Sequence, residues 1–378
     1  MSAALACALL VGVVFLSPSG ADSAHPARPS DIVASTAAAP AFLVEGVGSC
    51  AGASCHGANA PLPDFRSAYS FWKSAGDPHA AASQALFKPV SLQMAAILKR
   101  SGALAADETP ATAKLCLQCH GSPASGPSGH LWTASEGISC EQCHGAASGY
   151  LVPHAQPDWK TVPAAAKTAL GLRDTKSLAG RARTCIACHV GVPGQEVGHE
   201  LIAAGHPILR FDFRTYLARY PGKHWDVTKD KRSADRAEKK EMPFELEALL
   251  EGRRALGRAA VKLVAAHAKS PSLAWPEFAD QDCLSCHKNL STRLGGRSAP
   301  GALGRANWGD WYFPESTHGS PASKSALPPS LAAMTTELRR ARPDRSAVAA
   351  AAAALDAELA RLPELDPLAH SGYDDALR

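Results

Sequence analysis

Five times along this chain a pair of cysteines stands directly ahead of a histidine. Four copies read C-x-x-C-H: Cys116-Leu-Gln-Cys119-His120, Cys140-Glu-Gln-Cys143-His144, Cys185-Ile-Ala-Cys188-His189 and Cys283-Leu-Ser-Cys286-His287. A fifth, Cys50-Ala-Gly-Ala-Ser-Cys55-His56, carries two extra loop residues. This is the spacing of c-type haem attachment. Two thiols two residues apart can add to the vinyl groups of neighbouring pyrroles, and a His directly after the second Cys then lies under the iron. A zinc half-site or a redox pair also uses C-x-x-C but does not require that histidine. Ten of the 11 cysteines belong to these motifs, and the remaining one, Cys7, sits near the start. The reading is five covalent c-type haems, with His56, His120, His144, His189 and His287 as proximal ligands. At the longer motif the loop must bulge to bring both thiols to the ring; a disulfide or free thiols is the alternative there.

With 378 residues the chain is long enough for two ordinary domains. Five macrocycles would supply much of the apolar core, which accommodates an aromatic content of only 6%. The formal charge is +4, and each ferric haem adds roughly one net negative charge through its propionates. The loaded protein is therefore close to neutral. No basic run is interleaved with aromatics, so nucleic acid is not an expected partner.

The N-terminus reads as a signal peptide over residues 1–21, with an apolar stretch to Leu16 and small residues Ser19 and Ala21 at the end. It has no Lys or Arg, so retention as an anchor is the other reading. Residues 22–43 form an Ala, Pro and Ser-rich leader. No other run of about 18 apolar residues follows, so no further membrane span is expected. Covalent haem attachment in bacteria takes place outside the cytoplasmic membrane, which fits a periplasmic or otherwise exported protein.

From residue 44 to 320 the haem motifs are embedded in short predicted helices and loops. A helix is expected from about Ser83 to Arg100, with Asp77 and Pro78 as starting residues ahead of His79. His79 and His154 are candidate sixth ligands. Gly145 reads as backbone packed against a ring. His199 and His206, seven apart, share a face if their segment is helical; these two, His224 and His318 are further candidate ligands. Leucines and valines at helical spacing predict an amphipathic helix from Phe244 to Lys269, with His267 at its surface end. Trp308, Trp311 and Tyr312 are expected to cover haem. Residues 321–378 form an Ala/Pro-rich extension, read as a surface helix or tail.

The segment Gly137 to Gly145 with His154 downstream, Asp77-Pro-His79-Ala-Ala, and Arg183 to His189 together resemble the cytochrome c-554 family of tetrahaem electron carriers, over roughly Val44 to His224. The resemblance implies axial partners that cross between motifs: His154 opposite His56, His79 opposite His144, and His224 opposite His189. It also implies that the haem on His120 is open on its far side. The sequence departs from the family in its C-x4-C-H motif, its fifth motif at Cys283 and the residues beyond it. For that fifth haem, His199, His206 and His318 are equal candidates for sixth ligand.

The expected fold is mostly α with much irregular chain, few or no strands, and a haem-packed core. The expected function is a periplasmic pentahaem cytochrome moving electrons between redox protein partners. The alternative is an oxidoreductase acting on a small nitrogen species at an open haem on His120, with His130 either delivering protons or capping the iron instead. A zinc or disulfide protein is the third class.

Overall fold

The computed structural model describes residues 42–59, 65–122, 128–220, 244–287, 308–309, 311–313 and 328–361. The architecture is mostly helical, and the described residues contain only isolated β-bridges and no strand. In chain order the α-helices are α1 (Ala68–Phe71), α2 (Pro89–Ser101), α3 (Lys114–His120), α4 (Cys140–His144), α5 (Ala164–Ala169), α6 (Leu178–His189), α7 (His199–Ala203), α8 (Phe213–Arg219), α9 (Phe244–Lys269), α10 (Cys283–Cys286), α11 (Pro329–Leu338) and α12 (Arg345–Arg361). The proposed signal segment lies outside the described residues. At the first described residues the Leu43 amide donates to Ser148 Oγ at 2.8 Å.

Local sequence explains most helix ends. Helix α6 begins where Ser177 Oγ accepts from the Gly180 amide at 3.0 Å, and α8 where Asp212 accepts from the Thr215 amide at 2.7 Å. The expected helix over 83–100 is two elements. A 3-10 segment, Ala82–Phe87, stops at extended Lys88, and α2 then starts on Pro89, which can open a helix but would break one running through it. Helix α2 closes on Gly102 at φ 79°.

Helix α9 spans Phe244–Lys269 as the leucine spacing predicts. One stripe of it packs on α6 and α8, where Leu256 and Leu263 join Ala182, Ile186, Phe211 and Phe213. The opposite stripe, with Val261, Val264 and Ala268, packs on α11 and α12. The described part of the C-terminal extension, residues 328–361, is therefore not a surface helix or tail. Its Leu331, Met334, Val348, Ala352 and Leu355 are buried and form the largest apolar core. Sequence reasoning missed this because α12 is rich in alanine, and small side chains allow close helix approach without announcing it by bulk. Arg345 locks the layer by donating to the carbonyls of His267 at 3.1 Å and Leu273 at 2.9 Å. No helix of the described residues is long and apolar enough to cross a membrane.

Candidate haem-binding site

Helices α3, α4 and α6 each end on a motif histidine. A C-x-x-C-H stretch on a single helical turn sets both thiols and the imidazole along one edge, the arrangement a flat macrocycle needs. Between these turns lies a cavity of about 1200 Å³. Its walls carry Cys50, Cys116, Cys119, Cys140, Cys143, Cys185 and Cys188 together with His56, His120, His144 and His189, and are otherwise mainly apolar. That is larger than the roughly 300–1,000 Å³ of an ordinary small-molecule pocket. Interiors are close-packed, so a hollow of this size fits bulky apolar groups held by those residues.

Histidine placement provides a sharper test. Two imidazoles on opposite sides of one metal, each bonded at about 2 Å, put their ring centres roughly 6 Å apart. His56 and His154 have ring centres 6.2 Å apart with planes at 7°. His79 and His189 are 6.3 Å apart at 89°, and His120 and His206 are 6.2 Å apart at 76°. In each pair a motif histidine faces a histidine from elsewhere in the chain.

The far nitrogens are also set. His79 Nδ1 lies 2.9 Å from Asp77 Oδ1, His154 Nδ1 2.6 Å from the Leu151 carbonyl, His206 Nδ1 2.8 Å from the Pro207 carbonyl and His120 Nδ1 3.3 Å from the Ala82 carbonyl. Each ring is thereby held through Nδ1, which leaves Nε2 as the nitrogen that can bind a metal. Burial lowers the pKa of His120, and burial with the neighbouring His79 lowers His189 to about 4. Both rings are held neutral, the state in which imidazole binds a metal.

The pairing departs from what the resemblance implied. His154 does face His56. His79 faces His189 rather than His144, which removes His189 as the partner of His224; His224 and His318 lie outside the described residues. The far side of His120, expected to be open, is covered by His206. His206 was also a candidate for the fifth haem, and its position against His120 gives it another place. His199 and His206 do not share a helix face, because α7 stops at Ala203 and the chain turns through Gly205 at φ 115°. His144 lines the large cavity. His130 is exposed in a turn.

The fifth motif lies apart. Cys283 and Cys286 are exposed, and the His287 amide donates to the Cys283 carbonyl at 2.8 Å. Cys283 lines a second, smaller cavity of about 170 Å³. His199 comes close to this region: its amide donates to Glu277 Oε1 at 2.9 Å, and its ring packs on Phe278 at 5.5 Å. Of the covering aromatics, Trp308 is buried against α11 and α12, Tyr312 packs on the α6–α9 core, and Trp311 is half exposed beneath Arg210.

Three polar residues that the sequence did not single out tie the motifs together. Glu141, between the cysteines of its own motif, is 3% exposed. It accepts from the amides of Glu45 at 2.9 Å, Gly46 at 2.8 Å and Ala147 at 2.7 Å, so it holds the chain entering the first motif against the third. Gln195 Nε2 donates to the Gln118 carbonyl at 3.0 Å and contacts Cys188 Sγ at 3.5 Å, bridging the second and fourth. Gln142 Nε2 donates to Ser122 Oγ at 2.6 Å, anchoring the third motif to the chain just after the second. Gly145 answers to backbone crowding rather than to a ring: its φ is 88°, and a Cβ there would strike the Gly171 carbonyl.

All ten motif cysteines are free of disulfides. Among the described residues no group of three or more His, Cys, Asp or Glu could hold a metal ion by itself. Burial raises the thiol pKa of Cys116 and Cys143 to about 11 and of Cys185 to about 12, whereas the neighbouring Cys140 lowers Cys50 to about 7 and the neighbouring Cys188 lowers Cys119. The donor set is the one that covalent haem attachment needs. Residues 49–145 match the family model described as cytochrome c554 and c-prime. No curated protein and no solved structure matched the chain.

Proposed function

We propose that the chain is an exported, periplasmic pentahaem cytochrome that carries electrons between redox protein partners. Haem c supplies one-electron chemistry at iron. The ten motif cysteines would anchor it, and His56 with His154, His79 with His189 and His120 with His206 would hold its iron. The observation that carries the reading is the set of three histidine pairs at 6.2–6.3 Å. An iron with two imidazoles is coordinatively saturated, so it changes oxidation state with little rearrangement and offers no substrate position. His199 is our candidate sixth ligand for the fifth site, opposite His287.

The motifs are also close enough to act together. The sulfurs of Cys50 and Cys140 are neighbours, as are those of Cys119 and Cys188. The first motif is therefore adjacent to the third, and the second to the fourth. An oxidoreductase acting on a small nitrogen species would need a vacant face at His120, and His206 stands on that face.

Mass spectrometry of the exported protein tests the count, since each covalent haem adds a fixed mass. Electron paramagnetic resonance tests the ligation. Five adducts with low-spin iron at the His120 site support the proposal. Fewer adducts, or high-spin iron there, overturn it.

A further inference from the structure

The imidazoles facing into the large cavity are not held alike. His154, His206 and His120 turn Nδ1 to a neutral backbone carbonyl, that of Leu151, Pro207 and Ala82. His79 differs, because its Nδ1 lies 2.9 Å from a carboxylate oxygen, Asp77 Oδ1. A carbonyl orients a ring. A carboxylate orients it and also brings a full negative charge to it.

The contact is built into the local sequence. In Asp77-Pro78-His79 the carboxylate also accepts from the His79 amide at 3.0 Å, a turn in which aspartate bonds the backbone two residues on. Asp77 is extended, the conformation favoured ahead of proline. The chain entering the third motif fixes this turn from outside. The Ile138 amide donates to the His79 carbonyl at 2.8 Å, and a Cβ on Gly137 would strike that same oxygen.

Burial strengthens the effect. Asp77 is 4% exposed, and a charge acts more strongly where water is excluded. Across the gap His189 stacks on Phe211 at 4.8 Å and meets Tyr216 at 5.3 Å. The carboxylate therefore stands on one side of the pair and aromatic rings on the other.

We infer that Asp77 is a positioning residue that makes His79 a stronger electron donor to a metal and so lowers the reduction potential of the haem held between His79 and His189. This inference rests on the reading of that pair as axial ligands. Sharing the Nδ1 proton with a carboxylate gives the ring imidazolate character and raises its basicity as a ligand. The basic ligand and the nearby negative charge both favour ferric iron, which carries one more positive charge than ferrous. Hydrogen bonding around the ligands is one of the levers that set haem potential. A carbonyl partner, as at His154 or His206, supplies far less of it.

The test is potentiometric titration of the loaded protein, followed by optical and paramagnetic spectra. The component of this pair is identified as the one that leaves the low-spin set in His79→Gly. Asp77→Asn keeps the side-chain shape and an acceptor for Nδ1 but removes the charge. It should shift that component at least tenfold toward the reduced form, about 59 mV for a one-electron couple, and leave the other midpoints in place. Asp77→Glu restores the charge and should return the midpoint toward the parent value. Haem content by mass and an intact low-spin signal check the fold. A second measurement needs no substitution: nitrogen magnetic resonance of the histidine-labelled parent should set His79 Nδ1 apart from that of His154 and His206. An unmoved midpoint in Asp77→Asn overturns the inference, as do an equal shift in every component, a Glu variant that behaves like the Asn variant, or a His79 nitrogen indistinguishable from the others. A His79→Gly protein that stays fully low-spin would instead overturn the ligand reading of His79, so the two failures are distinguishable.

Discussion

His206 stands across from His120 with ring centres 6.2 Å apart and planes at 76°. It is carried there by the turn after α7, where Gly205 at φ 115° swings the chain out of the helix. Replacing His206 removes one axial imidazole and little else, since the ring lies on a short loop. His206→Gly should convert one haem to high-spin iron that binds nitric oxide or cyanide. Optical and paramagnetic spectra check this. A fully low-spin variant would show that His206 is not the ligand.

The ring planes of the three pairs make a second expectation. At His56 and His154 the planes are within 7°, whereas at His79 and His189 they are at 89°. Parallel imidazoles lift the degeneracy of the iron d orbitals, and crossed imidazoles leave them nearly degenerate. Electron paramagnetic resonance should therefore show both a rhombic low-spin signal and strongly anisotropic ones. His154→Gly should remove the rhombic component specifically.

Glu141 is expected to matter as much as a ligand for stability. Truncation strands three backbone amides, those of Glu45, Gly46 and Ala147. At about 1–3 kcal/mol for each buried donor left unpaired, Glu141→Ala should lose several kcal/mol in chemical denaturation, and Glu141→Gln less. An unchanged midpoint for Glu141→Ala would remove it as the tie between the first and third motifs.

In the C-terminal layer, Leu355 is 0% exposed and sits between α9 and α11. Leu355→Ala should cost about 2–5 kcal/mol without altering the spectra of the haems in the large cavity. A cost below 1 kcal/mol would return α12 to the status of a surface appendage.

A buried cluster also makes stability depend on pH: His267, expected at the surface end of α9, is 4% exposed, with its Nδ1 2.8 Å from Asp280 Oδ2 and its Nε2 3.4 Å from Glu196 Oε1. His267 has its pKa raised to about 10 from an ordinary value near 6.5, so it binds more protons in the folded state. Its stabilisation is fully present below about pH 6.5 and is lost as pH rises through about 10. Asp280, also raised, acts in the same direction. Denaturation midpoints should fall across that window in the parent protein and fall less in His267→Gln.

The haem motifs were readable in sequence because thioether chemistry demands a fixed spacing. Helix α9 was readable because its leucines and valines repeat with the helical period. The candidate distal histidines were named in sequence but not their pairing, because a histidine such as His79 carries no local mark of which motif it will face; its neighbour His189 is set by how α6 packs. The same holds for His267, which looks like any residue at a helix end until Asp280 and Glu196 arrive from elsewhere. Alanine hid the C-terminal core, since α12 buries Val348, Ala349 and Ala352 with almost no bulk.

The 1200 Å³ hollow has a consequence for how the molecule is made. Its walls carry the thiols and imidazoles of four motifs, so under the proposed haem reading attachment would come before the walls close. The polypeptide before attachment should then be readily digested, and resistance to a protease should appear stepwise as attachment proceeds. Maturation, in this protein, would be the completion of its interior.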